Sequence, residues 1–274
     1  MASSKTINLT GLGAVYAGDD PLHFDAALQS LYSQTVSLSE IVLVQDGEVN
    51  EEIASIIQKW QEHLPLKLIR LPQNKGLGNA LNVGLKACSY EFVMRFDADD
   101  INRRERAEIQ SSFLLSNPDV SIVSGDIEEF RDTPGDLGMV RYSSRKMIDA
   151  KKLAVWRSPI NHAATCFRRK HIIDAGGYPH ILFMEDYGLW LSCIKVGKKI
   201  ASVDIVMVDV RIGTGMHSRR SGIRHIKSEY AILKSKIEVF GPLAINCYIS
   251  FFLRSIVRFL PAFVLKRIYS MLRG

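Results

Sequence analysis

Three aspartates, Asp97, Asp99 and Asp100, stand within four residues directly after an apolar run. Left unpaired, their charges would repel one another. A hard divalent cation such as Mg²⁺ or Mn²⁺ takes carboxylate oxygens and removes that repulsion, while water and substrate phosphates fill its other positions. The alternative is a solvated acidic loop paired with nearby arginines, namely Arg103, Arg104 and Arg106. The spacing favours the metal site, and the alternative stays open.

A second acidic pair, Glu185 and Asp186, lies between an apolar run at residues 181–184 and a helical pattern around Trp190. Carboxylates at the start of a helix are often caps that complement the helix dipole, and the residues alone favour that interpretation. Beside aromatic and aliphatic side chains, however, a carboxylate can have a raised pKa and act as a general base. His162 has no other candidate ligand beside it in the sequence, and such an isolated histidine is more often a structural group than a ligand.

Two basic segments that contain glycine could contact phosphate groups. Lys75 and Gly76 belong to a loop at residues 74–79 that opens a helix, where backbone N–H groups favour anions. The loop has neither the Lys-Ser/Thr of a P-loop nor the spacing of a dinucleotide fingerprint. A later segment could close on a diphosphate through arginine, and its candidates are Arg211, His217, Arg219 and Arg220. Either segment could equally be an ordinary surface loop.

The elements that would position these groups alternate along the first hundred residues. Apolar runs predict strands at residues 7–16, 41–44, 66–71 and 92–96, and helical spacing predicts helices at 24–32, 51–63 and 77–87. This alternation predicts an α/β fold with a mostly parallel central sheet flanked by helices. Ligands of such sheets bind at the carboxyl ends of the strands, where Asp46 and the three aspartates lie.

The second part of the chain is less regular. It predicts strands at residues 120–124 and 163–167 and a helix at 187–196, with polar, glycine-containing sequence up to residue 138. No linker or internal repeat divides the chain. We therefore expect one domain over residues 1–222 and a C-terminal amphipathic helical extension over residues 223–274.

Composition limits the possible classes. The chain has 274 residues, of which 47% are hydrophobic and 23% charged, which is ordinary for a globular protein and excludes a disordered or collagen-like chain. Its four cysteines form no CxxC pair, so we expect no zinc site and a reducing, cytosolic compartment. The first residues contain no apolar signal core, so we expect no export.

The C-terminal part is basic and amphipathic. From Arg219 onward the chain has eleven Lys and Arg against two Asp and Glu. The uncharged run at residues 239–253 is too short to span a membrane. At helical pitch, one apolar face opposes Arg254 and Arg258, and this face comprises Ile245, Ile249, Phe252, Ile256 and Phe259. Such a helix can lie in an anionic headgroup layer or pack on the domain, and the pattern allows both equally.

Taken in order, these motifs resemble the family-two glycosyltransferases of the nucleotide-sugar-binding type called GT-A. The matching segments are residues 15–18, 41–47, 74–78, 95–100, 176–178, 185–187 and 219–220. The C-terminal sequence also resembles bacterial members of the amylovoran-type and β-1,3-hexosyltransferase branch, which assemble O-antigen and exopolysaccharide repeat units.

The resemblance implies how the donor is held. Asp46 would contact the uracil or ribose of a UDP-sugar, near Tyr16 and Gly18, and Lys75 and Gly76 would also bind the nucleotide-sugar. One departure affects these contacts. The family's usual Asp-Asp-Gly-Ser is replaced here by Gln-Asp-Gly-Glu, which keeps the nucleotide aspartate but changes the expected ribose contacts.

The resemblance also implies how the reaction is catalysed. Asp97 and Asp99 would form the family's DXD motif, with Asp99 the direct ligand of Mn²⁺ or Mg²⁺ and Asp97 nearer the ribose. Asp186 would deprotonate the acceptor hydroxyl, supported by Glu185. The leaving diphosphate would be held by Arg219 and Arg220 and covered by His217, which is also a candidate metal ligand.

The implied function is inverting, metal-dependent transfer of glucose or galactose from a UDP-sugar to a GlcNAc-diphosphoundecaprenol type of acceptor, with a β-1,3 linkage. The implied location is cytoplasmic, peripheral on the anionic inner face of the bacterial inner membrane, with no nucleic-acid partner. A sugar nucleotidyltransferase is the first alternative, but residues 16–19 lack that class's basic glycine-rich loop. A non-catalytic basic lipid- or nucleic-acid-binding protein is the second, and it leaves the aspartates unexplained. A retaining mechanism is a lesser variant.

Overall fold

The computed structural model describes residues 8–143, 150–213 and 223–259. The strands within these ranges are β1 (Leu9–Val15), β2 (Glu40–Asp46), β3 (Leu66–Leu71), β4 (Phe92–Arg95), β5 (Ile101–Asn102), β6 (Val120–Phe130), β7 (Met139–Arg141), β8 (Cys166–Arg168) and β9 (Lys199–Arg211). They form a single nine-stranded sheet in the order β3-β2-β1-β4-β8-β6-β9-β5, and β7 pairs with β6 at the side.

Helices cover both faces of this sheet. They are α1 (Pro21–Tyr32), α2 (Glu51–Gln61), α3 (Leu77–Ala87), α4 (Arg106–Ser116), α5 (Ala150–Leu153), α6 (Arg169–Asp174), α7 (Glu185–Lys195), α8 (Ile223–Phe240) and α9 (Ile245–Phe259). Successive side chains of a strand point to opposite faces, so β2 contributes Leu43 to one core and Val44 to the other. The first core packs against α1, α2 and α4, and the second against α3, α6 and α7.

The first half of the sheet is parallel throughout, since β3, β2, β1 and β4 pair in the same direction. The sequence predicts these four strands and the three intervening helices within a few residues of their observed bounds. Helix α1 begins earlier than predicted, at Pro21, because the Asp20 carboxylate caps it by accepting the N–H groups of Leu22 and His23. The carboxyl ends of β1, β2 and β4 therefore meet at one edge of the sheet.

The second half of the sheet contains both parallel and antiparallel pairs. Here the sequence gives wrong bounds for two strands and misses a third. Strand β6 runs on to Phe130, where a polar stretch was expected after residue 124. The strand predicted at residues 163–167 is only Cys166–Arg168, because residues 162–164 form a 3-10 turn. Strand β9, the longest of all, was not predicted, and it pairs in parallel with β6. Its last residue is Arg211, which was expected in a flexible loop.

The C-terminal helices pack on the domain. Ile232 of α8 shares a buried cluster with Tyr187 and Leu191 of α7. Helix α9 packs on α8 through polar contacts, because Arg254 Nε donates to Glu229 Oε2 at 2.8 Å and Lys236 Nζ donates to Ser250 Oγ at 3.0 Å. No helix within the described residues is both long enough and apolar enough to cross a membrane.

The apolar face of α9 points away from the protein. Ile245 is 70% exposed, Phe252 62% and Ile256 58%, whereas Ser250 on the opposite face is 2% exposed. The helix thus buries its polar side and exposes its apolar side. All four cysteines are buried free thiols.

Candidate active site

Residues 97–100 follow β4 directly and lie at the carboxyl edge of the parallel strands. The buried guanidinium of Arg95 donates to both oxygens of Asp97. The pairing expected in the alternative interpretation is therefore wrong for this aspartate. Arg103 instead pairs with two other carboxylates, Glu128 at 2.7 Å and Asp209 at 2.6 Å.

Negative charge at this edge exceeds the charge that Arg95 compensates. Burial, together with the Asp97 carboxylate, raises the pKa of Asp99 to about 6. Burial, together with the charges of Asp97 and Asp99, raises the pKa of Asp100 well above its ordinary value. Asp100 accepts the backbone N–H of Arg211 at 2.9 Å, so the end of β9 closes this loop from the side.

A further carboxylate, Asp19, lies near this cluster and was missed as a site residue. It sits in the turn after β1, where it accepts the backbone N–H of Tyr16 at 3.0 Å. Burial is the largest cause that raises its pKa to about 7, and the charges of Asp99 and Asp97 raise it further. The signal available in the sequence is positional, because the turn after β1 opens at the same sheet edge as the ends of β2 and β4.

The donor set at this edge fits a hard divalent cation in its chemistry. Asp19, Asp97 and Asp99 offer carboxylate oxygens. Burial is the largest cause of the raised pKa values of Asp19 and Asp99, neighbouring carboxylates raise them further, and a positive charge there would favour the ionised forms. Among the described residues, no group of three or more His, Cys, Asp or Glu side chains is already arranged to hold a metal ion. Mg²⁺ commonly uses only one or two carboxylates and completes its shell with water and phosphate oxygens.

Asp46 fixes the glycine loop that precedes α3. Its buried carboxylate accepts the backbone N–H of Lys75 at 2.8 Å and that of Gly76 at 2.9 Å. Gly47 allows this approach, because it has φ +89° and a Cβ there would lie 2.7 Å from the backbone nitrogen of Asn74. The structure thus brings together three predicted nucleotide-binding residues. Predicted residues Tyr16 and Gly18 lie in the turn after the neighbouring strand β1, with Tyr16 exposed.

Glu185 and Asp186 are the first two residues of α7. Burial raises the pKa of Asp186 and that of Glu185, while Ser158 Oγ lies 3.3 Å from Asp186 Oδ2 and stabilises its ionised form as a donor. Helix α3 approaches this point closely, since a Cβ on Gly78 would lie 3.2 Å from Cβ of Glu185. The acidic pair is therefore held against the loop that Asp46 organises.

A cavity of about 240 Å³ connects the two acidic groups, since Asp97 and Asp186 both line it. Residues of the segments at 141–143 and 157–163 form most of its wall. His162 also lines the cavity, where its Nε2 lies 3.0 Å from the Tyr178 hydroxyl. Burial lowers the pKa of His162 well below its ordinary value, so this histidine is a neutral hydrogen-bonding group.

Three predicted site residues lie outside the described residues, namely His217, Arg219 and Arg220. Two residues that line the cavity were not singled out from the sequence, namely Arg157 and Ser158, and neither was the role of Arg95 as the partner of Asp97. Ser158 and Arg157 belong to a segment with no regular pattern, so only their spatial proximity to Asp186 reveals them.

Comparison with known proteins agrees with this architecture. The family model described as Glycosyl transferase family 2 matches residues 24–177. The chain is 36% identical to the UDP-Gal:alpha-D-GlcNAc-diphosphoundecaprenol beta-1,3-galactosyltransferase of Escherichia coli, over 97% of this chain and 98% of that protein. It is also 36% identical to the amylovoran biosynthesis glycosyltransferase AmsE of Erwinia amylovora, over 94% of this chain and 96% of that protein.

Solved structures share the fold at low sequence identity. S. aureus TarS 1–349 in complex with UDP-GlcNAc matches with a TM-score of 0.70 and 17% identity, over 90% of this chain and 72% of that one. The mannosyltransferase PcManGT from Pyrobaculum calidifontis, in complex with GDP-Man and Mn²⁺, matches with a TM-score of 0.64 and 19% identity, over 98% of this chain and 81% of that one. With a GT-A-like fold and a family model that covers more than half of its length, the chain belongs to glycosyltransferase family 2.

Proposed function

We propose that this glycosyltransferase moves a hexose from a UDP-sugar to a GlcNAc-diphosphoundecaprenol type of acceptor, with inversion and a β-1,3 linkage, in O-antigen or exopolysaccharide repeat-unit synthesis. The observation that carries the proposal is that Asp97 and Asp186 line one cavity. An acid cluster suited to a charged donor then faces a carboxylate suited to take a proton. The E. coli relative's name specifies UDP-galactose and this acceptor, which makes galactose the first donor to test and leaves glucose as its rival.

In this proposal Asp186 is the general base. It takes the proton of the acceptor hydroxyl while that oxygen bonds to the anomeric carbon, and the bond from that carbon to the UDP oxygen breaks on the opposite side. UDP departs with the bonding electron pair, so no second carboxylic acid is required. The raised pKa of Asp186 suits a base, because a carboxylate of ordinary pKa is a weaker proton acceptor. We assign the supporting role to Glu185, which precedes Asp186 in the first turn of α7.

The donor would lie over the carboxyl ends of β1 and β2. Asp46 orients the loop of Lys75 and Gly76 through two backbone hydrogen bonds, which presents that loop to the nucleotide. Tyr16 is exposed beside it and offers an aromatic face to the uracil. We assign Gly18 to the same subsite, and the leaving diphosphate to Arg219 and Arg220.

A divalent cation, Mn²⁺ or Mg²⁺, would be held by Asp99 and Asp97, with His217 as a further candidate ligand. When bound, such an ion supplies charge neutralisation for the departing diphosphate, an effect worth several kcal/mol. The environment of Asp99 supports this assignment, because burial and the neighbouring Asp97 carboxylate both raise its pKa and a cation would favour its ionised form.

We further propose that α9 binds the anionic inner face of the bacterial inner membrane, so that residues 223–274 form a peripheral anchor for the catalytic domain of residues 1–222. The exposed apolar face of α9 is continuous in sequence with a basic C-terminus, and anionic lipid complements both features. A lipid-linked acceptor would be presented at such a surface.

Binding to vesicles tests the anchor. Wild type should sediment with phosphatidylglycerol vesicles. The double variant Ile249→Ser, Phe252→Ser should bind these vesicles at least tenfold more weakly, because both substitutions remove exposed apolar surface from α9. Leu22→Ser is the matched control, since Leu22 is an exposed leucine on α1. Equal binding of wild type and the double variant would contradict the anchor.

Release of UDP from a panel of UDP-sugars tests the reaction. The reactions contain Mn²⁺ and a synthetic lipid-diphosphate-GlcNAc, and wild type is compared with Asp99→Ala and Asp186→Asn. We expect turnover with one donor and its loss in both variants. Turnover without Mn²⁺ would contradict the metal assignment. UDP binding without turnover would contradict the acceptor assignment, and no UDP binding would overturn the proposed function. The anomeric configuration of the product tests inversion.

A further inference from the structure

One short segment links the outward-facing helix α9 to the proposed base. The carbonyl of Val155 accepts from Lys236 Nζ of α8 at 2.7 Å, and the carbonyl of Trp156 lies 3.5 Å from Ser250 Oγ of α9. Two residues further on, Ser158 Oγ lies 3.3 Å from Asp186 Oδ2. The residue between the helix contact and the base contact is Arg157.

Arg157 is an exposed arginine that lines the cavity together with Asp186. Within the described ranges, no carboxylate forms an ion pair with it. Other arginines around the site are already engaged. Arg95 holds Asp97, and Arg141, which lines the same cavity, lies 3.5 Å from Glu129. Arg157 therefore offers the cavity a guanidinium that is available for an external anion.

A cation at such a place would match the chemistry of the proposed acceptor. In a lipid-diphosphate-sugar, the diphosphate lies between the lipid and the sugar. If the sugar hydroxyl meets Asp186 and the lipid runs toward the exposed face of α9, the diphosphate must pass between them. Arginine suits this group, because its planar fork donates two parallel hydrogen bonds to phosphate oxygens.

We propose that Arg157 binds the diphosphate of the lipid-linked acceptor. This inference rests on the proposed function and adds an acceptor subsite to it. Arg157 is thereby separated in role from Arg219 and Arg220, which are assigned to the donor's diphosphate. The subsite lets the enzyme select a diphosphate-linked sugar over the same sugar on a neutral carrier.

Steady-state kinetics with two acceptors tests this assignment. One is lipid-diphosphate-GlcNAc and the other is an alkyl GlcNAc glycoside without phosphate, both with the donor identified above. Arg157→Ala should raise the KM for the diphosphate acceptor about ten- to hundredfold, as expected for the loss of a charged hydrogen bond. The KM for the alkyl glycoside should stay within about twofold of wild type, and Arg157→Lys should restore part of the loss. Arg104→Ala is the matched control, because Arg104 is also exposed but does not line the cavity.

Each outcome has a defined meaning. Unchanged kinetics with the diphosphate acceptor, or an equal rise in KM for both acceptors, would overturn the subsite. A weaker affinity of Arg157→Ala for UDP would assign Arg157 to the donor and likewise overturn it. If wild type uses neither acceptor with any UDP-sugar, the proposed function fails and this inference fails with it. Turnover by wild type combined with an unaffected Arg157→Ala defeats the inference alone.

Discussion

Two acidic regions face the same cavity, and they differ in what compensates their charge. On the donor side, Asp97 is paired with Arg95, whereas burial and the charges of neighbouring aspartates raise the pKa of Asp19 to about 7 and that of Asp99 to about 6. On the acceptor side, Asp186 has a pKa raised mainly by burial, and Ser158 is its side-chain donor. Under the proposed function, the same residue type would therefore serve two purposes, binding a cation on the donor side and accepting a proton on the acceptor side.

Neutralising one acidic group on each side should show whether the two sides have separate roles. Asp186→Asn should lower kcat about 10²- to 10⁴-fold, the usual contribution of a positioned base, and should leave the affinity for UDP with Mn²⁺ unchanged. Asp99→Asn should instead weaken the affinity for UDP with Mn²⁺. Isothermal titration measures the affinities, and UDP release measures kcat. A loss of UDP affinity in Asp186→Asn would show that the two sides do not have separate roles.

Removal of the compensating charge on the donor side should affect stability. Arg95→Met leaves Asp97 without its partner, so we expect unfolding free energy to fall by about 3 kcal/mol, as for other ion pairs broken on one side. Urea denaturation measures this change. Lys59→Met is the control, because its ion pair with Asp25 is largely exposed and should contribute no more than about 1 kcal/mol. Equal effects of the two variants would contradict the role of Arg95.

Neutralising Asp19 should change how the stability of the protein depends on pH. Between pH 4 and 7 the folded state retains a proton on Asp19 that the unfolded chain has released, so stability falls as pH rises through this range. In the absence of divalent cations, Asp19→Asn should therefore melt at a higher temperature than wild type above pH 7, and the two should converge near pH 4. The variant should also bind Mn²⁺ about tenfold more weakly. Asp20→Asn, which changes the neighbouring α1 cap, is the control.

The parallel half of the fold could be predicted because its signals are local. Apolar runs and helical spacing place β1 to β4, and the rule for parallel sheets places Asp46 and Asp97 at one edge. The second half depends on distant pairing. Strand β9 contains charged residues such as Asp209, whose carboxylate is stabilised by Arg103 from far along the chain, so its sequence does not read as an apolar strand.

The site was predictable to a similar extent. Acidic motifs identify Asp97, Asp99 and Asp186 as candidates, but they do not identify the partners of these groups. Arg95 lies only two residues before Asp97, yet its place at the end of an apolar strand hides its role, and Ser158 lies in an irregular stretch far from Asp186 in sequence. In α9 the helical spacing identifies the two faces, whereas packing decides that the apolar one is exposed, because Arg254 reaches Glu229 on α8.

Loss of the hydrogen bond between Ser158 and the proposed base Asp186 should shift the pH profile of the reaction slightly. Ser158 stabilises the ionised form of Asp186, so Ser158→Ala should raise the pKa of that carboxyl further, and only slightly because the contact is long. As the proposed general base, Asp186 would act only when deprotonated, so the reaction rate should fall as pH falls through the pKa of this carboxyl. The acid limb of kcat/KM against pH should therefore move to higher pH in the variant, with an unchanged plateau at alkaline pH. Ser235→Ala, which removes a hydroxyl within α8, should leave the profile in place. A limb that stays still or moves to lower pH would show that Asp186 is not the group that limits the rate.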